Sequence, residues 1–218
     1  YLWLPEISEK FTSENPHLLK GGYFDYTKTK VQEYALKIIY EIIDEYDIDG
    51  MFFDYMRSYN NQSVESIIYT IRMTKERLKQ KETLIQSKNV GKKLELRVRI
   101  PADQIVFYKA MKVCIENEYI DGIVPSNIVT SEPLPPVRHY LELAKGTKTK
   151  VYGCIDGWKH DLGGDSRAGA LELTHTPQDI IKYFKHYEAE GVDGVFIYQG
   201  DQISSNPYIN RMFKLNEL

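Results

Sequence analysis

Two acidic residues sit at the ends of apolar runs, Asp54 in MFFDYMR and Asp156 in KVYGCID. A carboxylate inside an aromatic strand either opens onto a solvent-filled mouth or is buried at severe cost. Glycosidic bond cleavage needs such a pair: one carboxyl protonates the departing oxygen, and the other attacks or activates water. Opposed environments must keep one of the two protonated. Around Asp54, strand alternation puts Phe52 and Met56 on its own face and Met51, Phe53 and Tyr55 on the other. Arg57, three residues on, could orient Asp54 or grip a substrate hydroxyl or carboxylate. A purely structural Asp54–Arg57 ion pair is the plainer alternative.

Other polar residues fall at the ends of neighbouring runs. LELRVRIP sets Leu94, Leu96, Val98 and Ile100 against Glu95, Arg97 and Arg99, so the charged set should face away from the helices. Arg99 lies nearest the strand end and is the better site candidate, while Arg97 and Glu95 suit an internal network. DGIVPSN brings Ser126 to a rim as a hydrogen-bonding residue, with no nucleophile elbow around it. Tyr152, Cys154 and Asp156 share a strand face, and a long loop follows with Trp158, Lys159, His160 and Asp161. Loops of that length in compact domains usually carry function or are disordered. The last apolar run adds Tyr198 and Gln199. Aromatic rings with polar tips suit sugar stacking, although an exposed loop histidine such as His160 is more often inert. No HxH or HExxH spacing occurs, so neither a metal site nor a cofactor is expected.

The elements that must carry these residues repeat. Asp-Gly followed by an apolar run occurs at Asp49, Asp121 and Asp193, with spacings of 121 − 49 = 72 and 193 − 121 = 72. Lys92–Pro101 and Lys148–Asp156 fall between them, giving five strands at about 36-residue intervals, near the repeat of βα units in an eightfold barrel. Helical spacing joins Val31, Ala35, Ile38, Ile42 and Tyr46, and recurs in 64–81 and 104–118. Thr176 with Pro177 opens a further helix, and Gly191 closes it. Alternating strands and helices imply parallel pairing and right-handed crossovers. The Asp-Gly turns are therefore read as architecture, not catalysis.

The expected fold is α/β, a TIM-type (β/α)8 barrel of which residues 1–218 supply about five βα units as one domain. Five strands do not close such a barrel, and an open half would leave apolar edges unpaired. An N-terminal barrel portion, from a preceding segment or a second chain, is the expected partner. The opening YLWLPEISEKFTSENPHLL reads as a loop, and a start at Tyr1 rather than Met suggests processing or truncation.

The totals bound the partners. Among 218 residues, 28 basic and 31 acidic side chains are well mixed and sum to −3, so neither nucleic acid nor an anionic membrane is expected. No apolar run reaches the roughly 18 residues a membrane span needs. Two cysteines make no disulfide framework.

The run FTSENPHLLKGGYFDYTKTKVQEYALKIIYEIIDEYDIDGMFFDYMR resembles the central motif of the glycosyl-hydrolase-like barrels of bacterial lipoproteins and secreted proteins. LRVRIP, DGIVPS, VYGCID and GVDGVFIYQ are similar to the strands that follow it there. The resemblance implies that this chain corresponds to strands four to eight, with Asp54 ending strand four and Asp156 strand seven. Retaining glycosidases with acids on those strands carry Glu at both places, and the shorter Asp side chains here reach less far. It further implies a carbohydrate substrate, from a bacterial or dietary polysaccharide, and an extracellular or cell-envelope location. Asp54 and Asp156 are then the catalytic candidates, and Arg57, Arg99, Ser126, Tyr152, Trp158, His160, Tyr198 and Gln199 the substrate-binding ones. A non-catalytic carbohydrate-binding barrel is the main alternative. A lyase, or a metal-assisted hydrolase using Asp54 and His160, is a third.

Overall fold

The structure, a computed structural model, describes residues 5–56, 59–85, 91–127, 134–157 and 175–215. It is an α/β fold whose parallel strands alternate with helices, and it divides into two compact units. The first comprises Tyr1–Arg99 with Gln104–Asp121, and the second Ile100–Asp103 with Gly122–Leu218. No helix among the described residues is long and apolar enough to cross a membrane.

The first unit opens with helix α1 (Pro5–Glu14). A loop is expected there from its prolines, but Pro5 occupies the start of the helix, where its missing N–H costs nothing. A small antiparallel hairpin, β1 (Leu19–Lys20) with β2 (Tyr23–Phe24), precedes helix α2 (Thr29–Glu45). Phe11 of α1 stacks on Tyr34 of α2 with ring centroids 4.0 Å apart, which ties this N-terminal part to the unit. Strand β3 (Gly50–Asp54), helix α3 (Val64–Ile85), strand β4 (Glu95–Pro101) and helix α4 (Ile105–Glu116) follow.

β3 and β4 pair in parallel, with Gly50 opposite Glu95, Phe52 opposite Arg97 and Asp54 opposite Arg99. The alternation expected for β4 is present: Leu94, Leu96 and Val98 are fully buried with Ile67, Ile71, Leu78, Ala110, Met111 and Cys114. α3 lies between α2 and α4 and supplies the central stripe of this core. Burial pushes the Cys114 thiol up to about 12, so it behaves as a small apolar group. Gly50 is required by close approach, since a Cβ there would lie 2.1 Å from the Glu95 carbonyl oxygen.

The second unit contains β5 (Gly122–Ser126), α5 (Arg138–Ala144), β6 (Lys150–Asp156), α6 (Pro177–Glu190), β7 (Gly194–Tyr198), α7 (Gly200–Ser204) and α8 (Pro207–Leu215). β5 pairs with β6 and β6 with β7, all in parallel. Its core joins Ile155 of β6 to Ile180, Tyr183 and Tyr187 of α6 and to Ile203, Ile209 and Met212. Tyr187 lies flat over Gly153, and its hydroxyl donates to the Cys154 carbonyl at 2.7 Å. Thr176 and Asp179 form a reciprocal capping box at the start of α6, and Gly191 ends that helix at φ +81°.

Two of the three repeated aspartates share one device. Asp121 donates its N–H to the Leu96 carbonyl at 2.7 Å, and its Oδ2 accepts the Leu96 N–H at 2.8 Å. Asp193 does the same to Val151, with both bonds at 2.8 Å. Each aspartate thus clamps the second residue of the strand that precedes its helix, which sets the pairing register. Asp121 also binds Lys75, whose side chain is only 5% exposed, and Lys93. Burial alone would raise the Asp121 carboxyl, but hydrogen bonds from Lys75, Lys93 and the Leu96 N–H hold it below the usual carboxylate range.

Removing the Asp121 charge leaves Lys75 buried without its counter-ion, so Asp121→Asn should cost about 3 kcal/mol in urea unfolding at pH 7. A carboxyl whose folded pKa is depressed stabilises above its unfolded value and loses that contribution as pH falls through the folded one. The gap between wild type and variant should therefore narrow below about pH 4. Gly153→Ala should destabilise by about 1–3 kcal/mol, because its Cβ would sit 2.4 Å from the Tyr187 ring. Equal midpoints for variant and parent would count against that packing.

Candidate functional site

β3 and the charged face of β4 bring four expected charged residues together in the first unit. Glu95, Arg97 and Arg99 share the β4 face opposite the apolar set, beside Phe52 and Asp54 of β3. Arg99 is the innermost, with its side chain 1% exposed, and its Nη1 donates to Asp54 Oδ2 at 3.2 Å. The Met56 N–H donates to Asp54 Oδ1 at 2.9 Å. Both carboxylate oxygens thus accept hydrogen bonds while the side chain keeps 15% of its exposure.

The pairing arises from register. Asp54 and Arg99 are opposite one another in parallel strands, so their side chains emerge on the same face at the same depth. Arg57, the cation expected beside Asp54 from sequence proximity, lies outside the described residues. Arg97 donates to Glu95 through Nε at 2.9 Å and through Nη2, giving a second, half-exposed pair on the same face. Phe52 is 40% exposed there, an aromatic surface among charged groups. Tyr55 instead turns to the helices, packing on Phe107 at 5.4 Å, and burial raises its phenol well above the ordinary value.

The second unit places the remaining described candidates. Asp156 ends β6 and is buried, with Tyr198 as its register partner on β7. Cys154 is buried and Tyr152 half-buried on the same strand. Ser126 ends β5 and is buried, its hydroxyl donating to the Val124 carbonyl at 3.3 Å and its carbonyl accepting the Ala102 N–H at 2.9 Å. Gln199 adopts left-handed backbone at φ 52°, just after β7. Beside it Gly157 donates to the Tyr198 carbonyl at 2.7 Å, and a Cβ on Gly157 would lie 2.1 Å from the Gln199 carbonyl oxygen. Trp158 and His160 lie outside the described residues.

His175 is a residue the sequence reading passed over. It is buried, its Nε2 lies 2.7 Å from the Asp156 carbonyl oxygen, and its ring meets Tyr183 edge-on at 5.5 Å. The signal available was its place directly before Thr176, the residue that caps α6. Through this bond His175 fixes the backbone that carries Asp156. Among the described residues no three metal-ligating side chains come together.

Comparison with models of known protein families finds none that matches the chain, and comparison with curated proteins finds no relative.

Arg99 is the buried cation that holds Asp54 in place, so its removal takes a charged donor away from a partly buried carboxylate. Arg99→Met should cost about 3 kcal/mol in chemical denaturation. Arg99→Met combined with Asp54→Leu should regain part of that loss, because the carboxylate that Arg99 faced is gone. A double variant no more stable than Arg99→Met would show that the pair is not what the single variant breaks.

Proposed function

We propose that the chain is part of a glycoside hydrolase-like barrel acting on a bacterial or dietary polysaccharide, outside the cell or at its envelope. Asp54 is its general acid/base, and Asp156 is the second carboxylate, acting as nucleophile or base. The observation that carries this reading is Asp54 itself: a partly exposed carboxylate at the carboxyl end of a parallel strand, positioned by a fully buried arginine. In βα-barrel enzymes that end of the strands carries the chemistry. A carboxylate oriented by fixed donors meets its substrate without reorganising, which is how preorganised groups lower a barrier.

The polar strip around Asp54 suits a sugar. Arg97 and Glu95 supply charged hydrogen-bonding groups, and Phe52 offers a flat apolar face within the same strip. Ring faces of this kind stack against the C–H face of a pyranose, while charged neighbours bind hydroxyls. Tyr198, beside Asp156 in register, supplies a similar half-buried aromatic in the second unit.

A second reading keeps the glycan and removes the chemistry. Both oxygens of Asp54 already accept hydrogen bonds, an arrangement equally suited to holding a hydroxyl in a non-catalytic carbohydrate-binding barrel.

Turnover separates the two. On a panel of polysaccharides, Asp54→Asn and Asp156→Asn should each lower kcat by about a thousandfold or more while leaving the glycan Kd within a few-fold. Binding by the parent protein with no hydrolysis of any bound glycan would favour the binding module. Undiminished turnover in either variant would remove that residue from the catalytic role.

A further inference from the structure

We propose that Lys20 and Tyr23, side by side on the β1–β2 hairpin, form an outer subsite for an acidic sugar, one bearing a carboxylate, of the glycan held at Asp54. The subsite depends on the glycan reading given above and narrows it from polysaccharides in general to acidic ones.

The hairpin is built to present these two side chains. Its turn residues, Gly21 and Gly22, have φ of +60° and +81°, the left-handed pair that a two-residue hairpin requires. Leu19 lies opposite Phe24, and Lys20 opposite Tyr23. Alternation then sorts the pairs by face. Phe24 meets Phe11, Tyr26 and Tyr34 edge-on, with ring centroids 5.6, 6.4 and 6.0 Å away, and so fixes one face to the first unit. Lys20 and Tyr23 are exposed on the other face, the tyrosine at 61%. Opposite residues of an antiparallel pair have Cβ atoms about 5 Å apart, so the ammonium reaches what stacks on the ring.

The hairpin lies at the Asp54 end of the first unit. α3 starts after β3 ends, and α2 lies beside α3 in the same direction, since Lys81 late in α3 donates to the Ile43 and Tyr46 carbonyls at the end of α2. The start of α2, and the hairpin before it, therefore lie toward the carboxyl end of β3. Asn61, in the 3-10 turn Tyr59–Asn61 that follows β3, is buried and fastens the two together. Its Nδ2 donates to the Lys20 carbonyl at 2.9 Å, and its carbonyl accepts the Tyr26 N–H at 3.1 Å. Burial raises the Tyr55 phenol, and the neighbouring Cys114 and Tyr26 groups raise it further, which sets Tyr26 beside the residue that follows Asp54.

The charge on the hairpin selects the sugar. The Thr27 hydroxyl and N–H, with Lys28 and Lys20 at longer range, hold the Asp25 carboxyl below its usual range, so one carboxylate stands among two cations. The face of a phenol ring is negative and attracts the C–H face of a pyranose. The Lys20 ammonium beside it adds a charge-assisted hydrogen bond to a carboxylate, a group that neutral sugars lack.

Hexasaccharide binding to the protein tests this, with oligogalacturonate, oligomannuronate and hyaluronan set against cello-, xylo- and malto-oligosaccharides. The tightest ligand should be one of the acidic three. Tyr23→Ala should weaken its binding by about fivefold. Lys20→Met should weaken it by about threefold and reduce its salt dependence, and Lys20→Arg should bind as the parent does. Both side chains are exposed, so the unfolding midpoints should match the parent's. Acidic-sugar binding unchanged in either Tyr23→Ala or Lys20→Met overturns the subsite and leaves the glycan reading intact. Tightest binding of a neutral sugar likewise overturns the acidic assignment alone. A parent protein that binds none of the six overturns the subsite together with the glycan reading.

Discussion

Parallel strands cannot be joined by a tight turn, so each pairing must be set after a helix has carried the chain back to the start of the sheet. The reciprocal bond of Asp121 with Leu96, and of Asp193 with Val151, does this at the first opportunity after the helix ends. Two hydrogen bonds from one residue to one residue leave little freedom to slip. A one-residue slip in β4 would send Leu96, Val98 and Ile100 outward and bring Glu95, Arg97 and Arg99 into the apolar core. The stability of the first unit and the depth of its polar strip depend on that register.

The charge distribution follows from it. Asp121 gathers Lys75, Lys93 and the Leu96 N–H at the amino end of the strands, where its pair with Lys75 is buried and structural. Asp54 meets Arg99 at the carboxyl end of the β3–β4 pair, where the carboxylate retains access to solvent. Desolvating an arginine without a partner would be costly, so the Asp54–Arg99 contact is as much a condition for burying Arg99 as a means of aiming Asp54. One contact thus serves both the burial of Arg99 and the placement of Asp54. The second unit uses aromatic packing for the same end: Tyr187 over Gly153, and Tyr183 against His175, hold β6 so that Asp156 ends the strand at a fixed place.

The strand positions, their polarity alternation and the α6 capping signals were legible in the sequence because each depends on residues close together in the chain. The period-two pattern of LELRVRIP requires one face apolar and the other charged in any parallel pairing. Thr176, Pro177 and Gly191 mark the ends of α6 by local backbone chemistry alone. The 72-residue recurrence of Asp-Gly marked the turns as architectural. Its mechanism was not legible, because the partners of Asp121 and Asp193 lie 25 and 42 residues away. The helix at Pro5–Glu14 was hidden by prolines that read as breakers but sit where a helix start tolerates them.

The candidate site divides along the same line. Residue type and strand alternation by themselves select Asp54, Arg99 and Asp156 as polar groups at strand ends. Only the tertiary structure decides that Asp54 is held by Arg99, 45 residues distant, and that His175 holds the Asp156 backbone. The physical reason is that alternation gives each strand its face, but the offset between two strands is set by contacts remote in sequence. That offset determines which cation reaches which carboxylate.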